Sequence, residues 1–468
     1  MVTEQLSESS GEKTKLPRRL SAVDAFFMAF GGQSPLLSLF TYGLVVVELT
    51  GLFSPIAVIL GSLLVLLNGA VVYKLSSRLT STGGYYTYAF HLLSQRFGFQ
   101  TGWMYLFYAV LYGCAYVVGT IYVLTQIVSA PPIVIALAVL TPASVFVLKG
   151  VKPSSRYAFI AGTLEMATIS GVVLAMVFRA HFHFYNPLSY ASKISTGRLG
   201  LGVLFAASIP TGFGSLTPVS GEVINARKVV GRTVLSVISL GGALASVFIY
   251  GFLDMLSHVT VTSTAQPALI TVKTLAAYLG WAIYPILFIA FLNDGILAVT
   301  AFMTATSRTL YRMASDGAFP SLFSRLHSSL PRNAIIGVLV PFVVISLSLA
   351  VGLPVFYGFV ALGVMAGLSS LLIHIAANAS LLRLSASRVS RKLANGKNRL
   401  FSPVSEIVVA AAASIFSVTD LVYSISSTIP LFVYIAFGWL IAGYLYNDIK
   451  EIVSNQIGTA QRNVLAEG

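Results

Sequence analysis

"MAFGGQSPLLSLF", residues 28–40, lies inside an apolar run that otherwise reads as one continuous helix. Gly31, Gly32, Gln33, Ser34 and Pro35 interrupt it. In hydrocarbon an unpaired backbone group is costly, so irregular backbone at that depth is tolerated only where it faces protein or a polar cavity. These five residues predict a broken helix that faces something polar.

The rest of the chain fixes the setting. Of 468 residues 56% are hydrophobic and 9% charged, with mean hydropathy +0.85; soluble domains carry about 25% charged residues. Windows of about 20 apolar residues, matched to a hydrocarbon core of about 30 Å, predict spans near 22–47, 54–73, 99–128, 131–148, 156–178, 200–221, 231–256, 280–313, 333–352, 355–382, 403–425 and 429–446. The expectation is an all-α integral membrane protein with twelve transmembrane helices.

A formal charge of +14 invites a nucleic-acid reading, but topology explains it better. With a cytoplasmic N-terminus, 25 of the 29 Lys and Arg residues fall on the cytoplasmic side and only Arg179, Lys193, Arg198 and Lys273 on the other. This positive-inside asymmetry places both termini in the cytoplasm and predicts a multi-pass plasma-membrane protein with no nucleic-acid partner. The single cysteine, Cys114, excludes an internal disulfide and a thiol metal site. Residues 1–20 are polar and read as a cytosolic tail, not a signal peptide.

A second interruption, "SIPTGFGSLTPVSGE" at 208–222, places Pro210, Gly212, Gly214 and Pro218 in the sixth span. Gly31 and Ser34 correspond to Gly212 and Ser215 at one offset of 181 residues. Proline kinks repaired by neighbouring helices are the plain alternative. Paired interruptions in two halves are nonetheless the best sequence pointer to a transporter's binding site. Free N–H groups there would favour a carboxylate and free carbonyls an ammonium.

Three stretches carry a resemblance to the amino acid, polyamine and organocation transporter superfamily. "TGFGSLTPVSGEVINARKVV" (211–230) resembles its sixth-helix pattern, "SRTLYRMASDGAFPSLFSRLH" (307–327) the segment after its eighth helix, and "STGGYYTYAFHLLSQRFGFQTGWMY" (81–105) the entry to its third. Gly221 and Ala226 depart from the pattern, as does "GGQSPLL". The resemblance implies a five-plus-five inverted repeat of the leucine-transporter type, with helices 1 and 6 discontinuous and helices 11 and 12 peripheral or in a dimer contact. The expected organisation is a tail at 1–20, a core at 21–385, a basic cytoplasmic loop at 386–402, two further helices at 403–446 and a C-terminal tail at 447–468.

Candidate substrate contacts are Gly31, Gly32, Gln33, Ser34, Thr211, Gly212, Phe213 and Gly214, with Tyr112 from a stripe of Tyr108, Tyr112 and Tyr116 and with Phe213 as a lid. Charged groups inside spans are functional hypotheses by default. Glu165, near mid-membrane, is a candidate proton carrier, with a structural carboxyl as the alternative; Asp294 is expected to border the outer part of a cavity. Thr306 and Ser307 are the alternative, a sodium site. Glu222 is read as an inner-gate carboxylate beside Arg227, or as one half of a surface ion pair. His374 and Asn378 share one helix face, as a polar path or a bridge between helices.

The leading expectation is a secondary-active transporter of an amino acid or related amine, by proton symport, sodium symport or exchange. A non-transporting nutrient receptor is the alternative of another class. No cofactor beyond a proton or sodium ion is expected, and the protein is read as a monomer or homodimer. An enzyme ranks last: the sequence has no metal-ligand cluster, no phosphate-binding loop and no intramembrane carboxylate pair close in sequence.

Overall fold

The computed structural model describes residues 16–179, 185–256, 267–352, 354–394 and 401–467. Among them there are helices, turns and isolated bridges but no strand. Residues 1–15 of the expected tail, residues 395–400 of the basic loop and the last residue lie outside the described residues. Ten helical stretches are long and apolar enough to cross a bilayer.

The first stretch, Ala22–Ser76, has 55 residues, about 80 Å at 1.5 Å per residue, and it is interrupted. α1 (Ala22–Gln33) begins at a capping box in which Ser21 and Asp24 satisfy each other's backbone N–H groups. It ends at Ser34, a left-handed residue with φ 39°. Pro35, which has no N–H to lose, opens the four-residue α2 (Pro35–Ser38). One wide turn, Leu39–Gly43, leads into α3 (Leu44–Thr50). Gly51, at φ 54°, reverses the chain into α4 (Ser54–Ser76).

α5 (Tyr85–Leu92) is short and follows Gly83 and Gly84, both at positive φ. Glycine is required at 84: a Cβ there would meet Thr217 and Pro218 backbone at 2.8 Å. α6 (Gln95–Leu124), α7 (Pro132–Lys149) and α8 (Val151–Arg179) follow. α9 (Thr196–Ser208) stops before the second glycine-proline cluster, which forms tight turns at Thr211–Ser215 and Thr217–Glu222. The chain then continues through α10 (Ala226–Leu256), α11 (Pro267–Leu279), α12 (Ile283–Ser315), α13 (Arg332–Gly352), α14 (Val355–Ala394), α15 (Phe401–Ser427) and α16 (Pro430–Glu467). The first part of the expected basic loop is thus the end of α14, and most of the expected C-terminal tail continues α16.

Burial separates the centre from the rim. The most apolar window of α6 is 83% buried, that of α16 only 17%. α6 packs on α12 and α14, while α1 lies among α8, α10, α12 and the Thr211–Ser215 turn. α16 is fastened to α6 by stacked Trp103 and Trp439 rings, 4.4 Å apart. Each indole N–H donates to the other tryptophan's carbonyl, at 2.8 and 3.1 Å. The two broken segments therefore meet at the centre, enclosed by the most buried helices.

Candidate functional site

At the first break several of the peptide groups released from helical bonding find new partners, as buried backbone requires. The Gln33 carbonyl accepts from the Ser38 hydroxyl (2.7 Å) and the Tyr116 hydroxyl (2.8 Å). The Ser34 hydroxyl lies 3.0 Å from the Gly31 carbonyl and 2.7 Å from that of Asp294. Leu36 N–H donates to Glu165 Oε1 (3.2 Å) on α8, and Leu37 N–H donates to Asp294 Oδ2 (2.9 Å) on α12. Two carboxyl groups thus cap the helix end that follows the break, where the backbone dipole favours negative charge.

Both acids are fully buried. Their other oxygens, Glu165 Oε2 and Asp294 Oδ1, have no hydrogen-bond partner among the described residues, and the two carboxyl groups sit side by side on consecutive amides. Among the described residues no basic side chain forms an ion pair with either. Two adjacent carboxylates in such a place cannot both be charged.

Glu165 is therefore not a lone carboxyl. Asp294 reaches the break itself instead of an outer cavity, and the carboxylate pair missing from the linear sequence is assembled by α8 and α12. Thr306 and Ser307 lie elsewhere, twelve and thirteen residues further along α12, or about 18 to 20 Å. Their hydroxyls donate to the Phe302 (2.6 Å) and Thr304 (2.8 Å) carbonyls of their own helix.

The two breaks touch directly. Gln33 Nε2 donates to the carbonyls of Pro210 (2.7 Å) and Val237 (3.1 Å). A Cβ on Gly32 would lie 2.6 Å from the Gly212 carbonyl oxygen, and one on Gly212 would lie 1.9 Å from Gln33 N. Both glycines are needed for this backbone contact. Gly31 faces Leu297, whereas Gly214 faces the Tyr108 hydroxyl at 3.5 Å.

The tyrosine stripe points inward. Tyr105 donates to the Gly214 carbonyl (3.0 Å) and Tyr112 to that of Ser208, and the Tyr116 and Tyr112 hydroxyl oxygens lie 3.1 Å apart. Tyr108 Oη and His374 Nδ1 are buried without a partner. Tyr108, Tyr112, Ser208, Thr211, Asn68 and His374 line a cavity of about 20 Å³, enough for one water. Thr211 donates to the Ala207 carbonyl (2.6 Å), and buried Phe213 stands 6.0 Å from the His374 ring. Asn378 bridges helices by donating to Asn68 (3.1 Å), which donates to Ser417 (3.3 Å).

At the far end of the second break Glu222 pairs with Arg308 Nε at 2.9 Å, both side chains nearly inaccessible. The carboxylate's partner is this arginine and not Arg227, which is exposed. The pair is buried rather than superficial. Around it the Glu222 carbonyl accepts from Arg19 and Leu20 N–H (2.8 and 2.9 Å), Pro218 accepts from Gly83 N–H (3.1 Å), and Ser220 donates to Ser81 (2.9 Å). This end of the molecule is closed by residues from four segments, including residues 19–20 of the expected tail.

Two interlocked helix breaks at the centre of an apolar bundle, polar groups converging on them and one end sealed by a buried ion pair, define a membrane transporter, not an enzyme. The chain belongs to the amino acid permease family, whose model matches residues 24–459. It is similar to the low-affinity putrescine importer PlaP of Escherichia coli, from strain K12 and from O157:H7. Identity to each is 25% over 336 residues, 67% of this chain and 71% of theirs.

Proposed function

We propose that this chain is a secondary-active carrier of amino acids or related amines, working by alternating access with a proton as coupling ion. The observation that carries this reading is the Glu165–Asp294 pair on the helix end after the first break. A proton leaving the pair adds a negative charge beside a helix N-terminus. Protonation therefore weighs differently in any conformation where α2 moves away from α8 and α12, which is the thermodynamic condition for coupling.

In this reading twelve crossings form a five-plus-five inverted repeat at 21–385. The Ala22–Ser76 stretch counts as two crossings and the broken Thr196–Glu222 element as one, with α15 and α16 outside the repeat. Basic residues Arg18, Arg78, Arg227 and Lys228 cluster around one cavity near the Glu222 end, which supports a cytoplasmic placement of that end in the plasma membrane. A cysteine at position 273 is then labelled by an impermeant reagent from outside the cell. Glu222 and Arg308 form the inner gate. The substrate's polar groups meet the backbone of residues 31–34 and 211–214 and the hydroxyls of Tyr108 and Tyr112 once the helices part.

Similarity to putrescine importers favours a second reading of the cargo, a diamine with one ammonium directed at the acid pair. Uptake of labelled amino acids and diamines into proteoliposomes, with pH and sodium gradients imposed separately, tests both. Accumulation driven by the proton gradient is expected; accumulation that follows sodium alone, or no uptake of any member of the panel, contradicts the proposal.

A further inference from the structure

α15 carries two acids in contrasting surroundings. Glu406 accepts from Arg78 (2.5 Å), Arg388 (2.7 Å) and Ser385 (2.8 Å). Asp420, four turns along, is 6% exposed, yet neither carboxyl oxygen has a hydrogen-bond partner. It lines a cavity of about 210 Å³ between α4, α9 and α15, walled by Leu60, Leu64, Leu199, Val203 and Phe416. No cationic side chain lines this cavity. An ionisable group within a membrane span is expensive unless it is paired or hydrogen-bonded, and the described residues provide Asp420 with neither.

A cationic partner from outside the chain would satisfy it. The lining is poor in oxygen ligands for a hard metal ion, which takes six or more, waters included: beside the carboxylate the polar lining residues are Thr196, Thr419 and Tyr423. Apolar walls, one aromatic ring and one carboxylate match an organic cation with a hydrophobic body. The cavity is separate from the breaks but adjoins α9, the helix that leads into the second of them. We propose that this pocket binds a lipophilic organic monocation through an ion pair with Asp420.

Benzyltrimethylammonium, with a fixed charge, and its neutral isostere neopentylbenzene are suitable probes for binding to the detergent-purified full-length chain. Saturable binding of the cation is expected. Asp420→Asn, which preserves shape, should weaken it by about tenfold or more while leaving the neutral compound unaffected, and Val203→Phe should fill the pocket and abolish it. Equal affinity in wild type and Asp420→Asn overturns the proposal. So does equally tight binding of the neutral isostere, absence of saturable binding, or full binding by a folded Val203→Phe variant. Asp420→Asn decides the matter if the larger substitution prevents folding.

Discussion

Glu165 and Asp294, on different helices, accept hydrogen bonds from consecutive backbone amides, Leu36 and Leu37, and each keeps a second, buried oxygen with no partner among the described residues. The end of a broken helix thus rests on two acids. Displacement of α2 changes the field at both acids, and a change in their charge alters what holds α2 in place. In the proposed mechanism the same contact serves structure and coupling.

The ion pair at the sealed end is the first point of test. Arg308→Met strands Glu222 as a buried, unpaired charge, which costs about 3–5 kcal/mol when a pair loses one member. The closed end should be destabilised, and a cysteine at position 220, in a background lacking Cys114, should be labelled faster. Glu222→Gln combined with Arg308→Met should recover part of the loss, since neither charge is then stranded.

The tyrosine stripe separates binding from stability. Tyr108→Phe removes a hydroxyl that has no partner, so thermal stability should change little while KM for the transported substrate rises severalfold. Tyr112→Phe loses its bond to the Ser208 carbonyl and should cost about 1 kcal/mol of stability. Melting curves and uptake kinetics of the two variants distinguish the roles.

The glycines at the breaks divide in the same way. Gly32→Ala forces a methyl group against the Gly212 carbonyl and should destabilise the fold by about 1–3 kcal/mol, as overpacking does. Gly214→Ala meets only ordinary contact with Tyr108; it should fold normally and lower substrate affinity. Thermal unfolding with a binding assay checks both.

The breaks were legible in the sequence because glycine and proline crowded into an apolar run have few physical explanations. Glu165 and Asp294 were visible as charges within spans, but which helix faces meet depends on packing that no local pattern encodes. Glu222 shows the same limit. The nearest basic residues in the chain are Arg227 and Lys228, yet these are exposed in the first turn of α10, and the buried partner comes from α12. The close contact of Gly32 with Gly212 was likewise hidden, because the 181-residue echo says that the breaks correspond and not that they touch.

Proton coupling through the acid pair is tested most directly by Glu165→Gln in proteoliposomes. The amide keeps an acceptor for Leu36 and donates a hydrogen to Asp294, a fixed copy of the protonated pair. With one proton per substrate and a neutral cargo, an inward gradient of one pH unit supports accumulation up to about tenfold. The wild-type chain should accumulate substrate under that gradient. Glu165→Gln should show none while retaining measurable counterflow exchange. Unchanged pH-driven accumulation in the variant, or wild-type accumulation that follows sodium alone, would contradict the account.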